Sequence, residues 1–192
     1  IFVFTVNFGV DVQGRELWRS DGTEAGTTLL FDMTPPPAGS EPKALFPFNG
    51  LLYFIANDEI HGDELWQSDG TEAGTEMAVE LSPGTTETIL FPKIVPGTNN
   101  FFILTNNLWV SDGTPGGTTQ LYNGLYYIGW LQFVGNRAFF IGYDPINAFE
   151  LWQSDGTPGG TGMVKAIVPD ERFWPNGLQG FNNTLYFTGY DT

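Results

Sequence analysis

Two carboxylates frame the loop that precedes several copies of a repeated phrase, and their chemistry suits a cation site. Asp58 and Glu64 lie in the loop NDEIHGDE at 57–64, and Asp144 and Glu150 lie in the loop YDPINAFE at 143–150. Paired carboxylates and backbone carbonyls supply the oxygen ligands that Ca²⁺ binds with flexible geometry. The spacing is not that of an EF-hand, and the same carboxylates can cap turns on a solvated rim. Two interpretations therefore stay open: a possible Ca²⁺ cofactor at these four residues, and turn capping.

Tyrosines beside these loops indicate a second kind of site, for a sugar ligand. Tyr143 and Tyr190 recur in the tripeptide GYD at 142–144 and 189–191. Ligand sites commonly combine aromatic side chains with a few polar groups. We therefore take both tyrosines as candidate ligand-binding residues. The alternative is that they, like Trp130 and Trp174, belong to a core between repeats.

Catalytic chemistry has little support in the sequence. His61 is the only histidine, and the other repeats lack it. A Ser-His-Asp arrangement would have to be built around that single residue. A glycosidase needs two carboxylates at a defined separation, and no acidic pair is singled out by the sequence. No phosphate-binding loop or dinucleotide fingerprint is present. We predict no catalytic residue.

The repeated phrase itself has four copies. They read ELWRSDGTEAGT at 16–27, ELWQSDGTEAGT at 64–75, NLWVSDGTPGGT at 107–118 and ELWQSDGTPGGT at 150–161. In the second copy, Asp69 is expected to form a turn with the amides ahead of it, and Gly70 and Gly74 to take positive φ. Trp66 is suited to wedging between packed sheets. The predicted structural residues are Trp18, Trp66, Trp109, Trp152, Asp21, Asp69, Asp112 and Asp155.

The elements that position these residues repeat with the same period. The motif tryptophans are 48, 43 and 43 residues apart, and each period contains four strand-like stretches separated by Gly, Pro and Asn turns. Four short antiparallel strands per period are typical of a propeller blade. The sequence predicts an all-β, β-propeller-type repeat array of four blades of 43–48 residues with essentially no helix. A two-sheet sandwich would not explain the repeat.

The repeats form one predicted domain over 1–192. Counted from the aromatic stretch that opens each period, they cover approximately 1–50, 51–99, 100–137 and 138–183, with a fifth copy of the first strand at 184–192. A ring closed by these residues alone would have one strand left over. We interpret the chain as part of a longer protein.

Charge and composition exclude several classes of protein. The chain has 22 Asp and Glu against 7 Lys and Arg, for a formal net charge of −15. Nucleic-acid binding requires basic patches, so it is not expected. No apolar run has the ~20 residues that a membrane-spanning helix needs. The chain contains no cysteine, which excludes disulfides and thiolate metal sites.

The phrase resembles the ELWxxDGT repeat of large exported bacterial proteins. The pattern NG-LYF-A-D---G-ELW-SDGT--GT is followed almost in full from Asn49 to Thr75, and related copies extend over nearly the whole chain. The third repeat departs from it, with Asn107 in place of Glu and a shorter preceding loop. The resemblance implies a β-propeller-like array outside the cell or on its surface, with no defined enzyme activity.

The expected function is therefore that of a non-enzymatic exported or cell-surface scaffold for adhesion or assembly. Its expected partners are proteins at the cell surface or surface glycans. One alternative is a lectin-like carbohydrate-binding module, with or without calcium. A less favoured alternative is a hydrolase that acts on polysaccharides.

Overall fold

The structure is a computed structural model that describes residues 2–6, 14–34, 38–84, 89, 91–165 and 176–189, with only the backbone described for 2–6 and 176. The chain divides into two compact units. The first comprises Ile1–Ile94 with Gly113–Pro115, and the second Val95–Asp112 with Gly116–Thr192. In both, successive short strands pair in antiparallel fashion with their neighbours in the chain.

The first unit contains two sheets. Sheet 1 has the strands β1 (Phe2–Val6), β2 (Glu16–Ser20) and β3 (Thr28–Phe31) in that order. Sheet 2 has β4 (Lys43–Phe48), β5 (Leu51–Asn57), β6 (Asp63–Ser68) and β7 (Thr75–Val79). The core between them joins Leu17 and Leu30 of sheet 1 to Phe54, Ala56 and Trp66 of sheet 2.

The second unit continues the pattern. Sheet 3 has β8 (Lys93–Pro96), whose first two residues precede the unit boundary, β9 (Phe101–Leu104), β10 (Asn107–Ser111) and β11 (Thr119–Asn123). Sheet 4 has β12 (Tyr127–Val134), β13 (Arg137–Asp144), β14 (Ala148–Ser154) and β15 (Gly162–Lys165). Sheet 5 has β16 (Asn176–Phe181) and β17 (Thr184–Thr188).

Apolar side chains on both faces of sheet 4 join the three sheets of this unit. One core connects sheets 3 and 4 and includes Phe102, Leu108, Phe140 and Trp152. A second connects sheets 4 and 5 and includes Ile141, Leu151 and Leu178. Sheet 4 is thus covered on both sides, which explains why β13 is a near-continuous apolar run without a polar face.

Each motif strand has the same irregularity. The register of β2, β6, β10 and β14 shifts between the motif Leu and Trp where the strand pairs with the next one. Such a bulge bends the strand and increases its twist. The first strands of sheets 2, 4 and 5 have a further shift, and Ala44, Trp130 and Gly177 take positive φ there.

The all-β prediction is confirmed, with essentially no helix. In the described ranges the only helical element is a 3-10 turn at Pro158–Gly160. The count of four blades is not confirmed, because the described strands form three four-stranded sheets, one of three strands and one of two, and no closed sheet. The repeats counted from the sequence open on the aromatic strand. In the structure, the last strand of one repeat pairs with the aromatic strand of the next repeat, so that last strand is the first strand of each four-stranded sheet.

Candidate functional site

The polar residues of the motif bond to one another within a single turn. In the second copy, Asp69 Oδ1 accepts the backbone N–H and the hydroxyl of Thr71 at 2.8 and 2.7 Å. The Thr71 hydroxyl accepts the N–H of Gly74 at 3.0 Å. Ser68 and Thr75 join their hydroxyls at 2.8 Å across the base of the turn. The motif therefore closes its own turn without a ligand.

The first and fourth copies repeat this network, and the third copy has the same serine–threonine bond. In the first copy, Asp21 Oδ1 accepts from the N–H and hydroxyl of Thr23 at 2.9 and 2.7 Å. In the fourth copy, Asp155 Oδ1 accepts from Thr157 at the same two distances. In the third copy, the hydroxyls of Ser111 and Thr118 lie 2.7 Å apart. Thr71 lowers the pKa of Asp69 by donating to the charged carboxylate, and Thr23 and Thr157 do the same for Asp21 and Asp155.

Glycine is required at the two motif positions for different physical reasons. Gly70 has φ +90, as predicted for a turn residue without a side chain. The same prediction for Gly74 is wrong, since its φ lies outside the positive range. A Cβ on Gly74 would lie 2.2 Å from Asp69 Oδ1. This glycine is needed because the Asp carboxylate lies against its Cα.

The motif glutamate is buried and anchors the chain that follows the third strand of its sheet. Glu64 is 0% exposed, and its carboxylate accepts the N–H of Leu81 and, at 3.3 Å, that of Ser82. Glu16 is 2% exposed and accepts the N–H of Ser40 at 2.9 Å. Glu150 is also buried. The sequence offered Glu64 and Glu150 as cation ligands or, alternatively, as turn caps on a solvated rim, and the structure buries both within motif strands.

Burial also shifts the pKa of the Glu64 carboxyl group. It raises the pKa of Glu64 from 4.5 to about 7, and the N–H donors of Leu81 and Ser82 offset only part of that effect. A raised pKa in the folded state means that folding takes up a proton. The stability from this linkage is therefore complete below pH 4.5 and is lost as the pH rises towards 7.

The acids that open the loops act as turn caps. Asp58 accepts the N–H groups of Ile60 and His61, and its Oδ2 lies 2.6 Å from His61 Nδ1. Partial burial acts to raise the pKa of Asp58, but the bonds from His61 and Ile60 outweigh it and lower the pKa. The Asp58 hydrogen bond raises the pKa of His61.

The fourth repeat builds its loop in the same way. Asp144 Oδ1 accepts the N–H groups of Ile146 and Asn147 at 2.8 Å, and Oδ2 accepts from the Asn147 amide at 2.9 Å. Within the described ranges, no group of three or more His, Asp or Glu residues is arranged to hold a metal ion. The calcium hypothesis at Asp58, Glu64, Asp144 and Glu150 stays a prediction, and the geometry around Asp58 and Asp144 favours its turn-capping alternative.

Two motif tryptophans pack against the preceding sheet of their own unit. Trp66 packs against sheet 1, and Trp152 packs against sheet 3. Trp66 is 8% exposed and donates its indole N–H to the Ala56 carbonyl at 3.2 Å. Trp152 is 3% exposed and stacks on Phe140 at 6.3 Å, but its indole N–H has no partner among the described residues. Trp18 and Trp109 are half-buried.

Of the two predicted sugar-binding tyrosines, the structure describes only one. Tyr143 is half-buried and packs on Phe149 with 4.8 Å between ring centroids. Tyr190 lies outside the described residues. Several other aromatic side chains are more exposed, among them Tyr126 at 72% and Trp130 at 54%. Trp130 holds φ +52 at the bulge of β12, where the equivalent strands have Ala44 and Gly177.

Comparisons with known proteins give a likeness of fold and no family. No protein-family model matches the chain, and no curated protein matches it. A solved prolyl endopeptidase chain aligns with 91% of this chain at 11% identity and a TM-score of 0.52. The match spans 27% of that chain, so only part of the enzyme is compared.

A second solved structure, an α-L-arabinofuranosidase from Clostridium thermocellum, has a TM-score of 0.40 at 9% identity. That alignment covers 98% of this chain and 81% of the other, but the similarity is too low to bear on fold or function. In the part of the chain that the structure describes, no helix is both long and apolar enough to cross a membrane.

Proposed function

We propose that this protein is a non-enzymatic scaffold of the ELWxxDGT type, outside the cell or on its surface, that uses stacked repeat sheets of β-propeller type for adhesion or assembly. The observation that supports it is the self-contained motif turn. The Asp, Ser and Thr side chains that a repeated binding site would present to a ligand are bonded to one another in the first, second and fourth copies. Repetition then serves packing, as in other arrays of stacked units.

The net charge supports a function that does not involve binding polyanions such as nucleic acid. With 22 acids against 7 bases, the surface repels nucleic acid and favours solubility. The partners that this scaffold would hold are proteins at the cell surface, with surface glycans as the alternative.

A second candidate function, that of a lectin-like module, is favoured by one residue. Trp130 is 54% exposed in a backbone conformation that disfavours a large side chain. Strain of about 1–3 kcal/mol is typically retained where a site uses it. An exposed indole is a surface on which a sugar ring can stack, with or without calcium.

Binding of the fluorescently labelled chain to cells of the organism that produces it separates these functions. The scaffold proposal expects retention that is lost after the cells are shaved with protease and kept after periodate oxidation of their glycans. The reverse pattern, or loss of binding in Trp130→Ala, would establish the lectin. Turnover of a polysaccharide, abolished by a single carboxylate substitution, would establish a hydrolase.

A further inference from the structure

The loops at 57–64 and 143–150 are built alike. In each, an aspartate accepts through Oδ1 the N–H groups two and three residues further along, and its Oδ2 bonds to the side chain three residues along. Positive φ falls at the same place in both, with Gly62 at +85 and Ala148 at +60. The strands on either side pair in the same register. The residues of the two loops can therefore be compared one by one.

Three residue types are identical in the two loops, and the structure accounts for only two of them. In loop order they are Asp58 and Asp144, Ile60 and Ile146, and Glu64 and Glu150. The aspartates cap the turn, and the glutamates are buried in the motif strands. The isoleucines serve the turn only through a backbone N–H, which any residue except proline supplies. Their side chains are 72% and 91% exposed, so neither the turn nor the core explains them.

One exposed isoleucine is ordinary on a protein surface, so the recurrence of this side chain carries the argument. Ile60 belongs to sheet 2, which has sheet 1 before it and sheet 3 after it in the chain, so its exposure does not depend on where the sequence begins or ends. In the first repeat Val12, outside the described residues, precedes Glu16 by the same four positions that separate Ile60 from Glu64. The third repeat has no such loop, because two residues join β9 to β10. Each complete repeat with the loop thus has a β-branched aliphatic residue at this place.

The charge around Ile60 favours a protein partner over a lipid surface. Glu59 is exposed beside it, and the chain has nine carboxylates and no lysine or arginine from Asp58 to Glu87. Anionic headgroups repel such a surface, and segments that lie in a membrane interface carry Lys and Arg beside their apolar side chains. An apolar socket with a basic rim, on a protein, complements both the isoleucine and the glutamate. Beside Ile146 the exposed neighbour is Pro145, which fits an apolar socket without a charged rim.

We propose that the isoleucine tips, Ile60 and Ile146, bind apolar sockets on a protein of the cell surface, and that lysine or arginine rims the socket for Ile60. The inference rests on the scaffold function and names the part of the scaffold that holds its partner. The aspartate caps fix each loop before binding, which lowers the entropy lost on association. Burial of one isoleucine side chain in a socket strengthens binding by about tenfold or more.

The test measures the half-saturating concentration of labelled chain on cells of the producing organism, before and after these are shaved with protease. Ile60→Ser and Ile146→Ser should each raise that concentration about tenfold on intact cells, and the double variant should raise it further. Ile60→Val should bind as the wild type does, because it keeps the aliphatic side chain of the first repeat. Phe91→Ser is the matched control, since Phe91 is 81% exposed outside both loops. An equal loss in Phe91→Ser would show general stickiness and overturn the proposal.

Two further measurements separate the possible outcomes. Glu59→Lys and high salt should both weaken retention of the wild-type loop, and retention that is indifferent to both would refute the basic rim. Binding of the wild type to phosphatidylcholine vesicles, lost in the double serine variant, would assign the tips to lipid and overturn the protein partner. A double serine variant that binds shaving-sensitive sites as well as the wild type refutes only this inference. A wild type that is not retained, or is retained equally after shaving, contradicts the scaffold function as well.

Discussion

Adding one methyl group at Gly117 should destabilise the third motif, whereas adding it one residue earlier, at Gly116, should not. A Cβ on Gly117 would lie 2.0 Å from Asp112 Oδ1 and 2.1 Å from its Cγ. Both separations are more than 1 Å shorter than an ordinary contact, so the carboxylate must leave its place. A Cβ on Gly116 would meet nothing within 4 Å, and its φ lies outside the left-handed range. Ala25 and Ala73 already occupy this position in the first two motifs.

The magnitude follows from the cost of overpacking. Gly117→Ala should lose about 1–3 kcal/mol of unfolding free energy. In a protein of this size each kcal/mol shifts Tm by about 2–4 °C, so Tm should fall by roughly 2–12 °C. Gly116→Ala should instead gain about 0.4–1 kcal/mol, because alanine restricts the unfolded chain.

Thermal melts by circular dichroism, supported by urea titration, measure both variants. A double-mutant cycle with Asp112→Ala isolates the clash, since removing the carboxylate should make Gly117→Ala nearly harmless. Equal melting of the two glycine variants would refute the steric reason for the second motif glycine. An undiminished penalty in the Asp112→Ala background would show that its cause lies elsewhere in the turn.

Three other predictions test the motif and its surroundings. The wild type should lose up to about 3 kcal/mol between pH 5 and 8 as Glu64, with its pKa of about 7, gives up its proton. Glu64→Gln in a His61→Asn background should flatten that slope in urea titrations, and wild-type stability that is constant or rises with pH would contradict it. Trp66→Phe should cost about 1 kcal/mol more than Trp152→Phe, because only Trp66 loses a hydrogen bond; equal costs in paired melts would count against this. Trp130→Gly should melt at the same or a higher temperature, since glycine relieves φ +52, and a marked fall in Tm would show that the indole serves packing.

Much of the motif could be predicted from its own residues. Strand alternation puts Trp66 on a packed face, and the short Asp69 side chain favours a turn that closes on amides two residues ahead. Both inferences use only local geometry, because the partners lie within seven residues. The period of the motif likewise indicated repeated antiparallel sheets without helices.

The role of the motif glutamate could not be predicted in the same way. Its partners Leu81 and Ser82 lie 17 and 18 residues further along the chain, and no local pattern marks them as donors. A carboxylate in a polar loop suggests an exposed ligand on average. The available signal was the spacing, because Glu64 lies two residues before Trp66 and so shares its strand face.

Two further features could not be predicted from the sequence: which strand begins each sheet, and the packing of the third motif turn on Tyr53. The repeat has the same period whichever of its four strands is counted first, so the period does not state which strand opens a sheet. The contact with Gly113 spans 60 positions and depends on how two repeats stack. Packing between repeats decides such contacts, whereas the motif decides only its own turn.

Titration of the aspartate carboxyl carbons by NMR, in the ligand-free protein, tests most directly whether the motif builds the fold. If the turns close themselves, Asp21, Asp69 and Asp155 titrate below the ordinary value of 3.8 without any added ion or sugar. Ordinary pKa values that fall only when calcium or a glycan is added would contradict this and make these three copies binding sites.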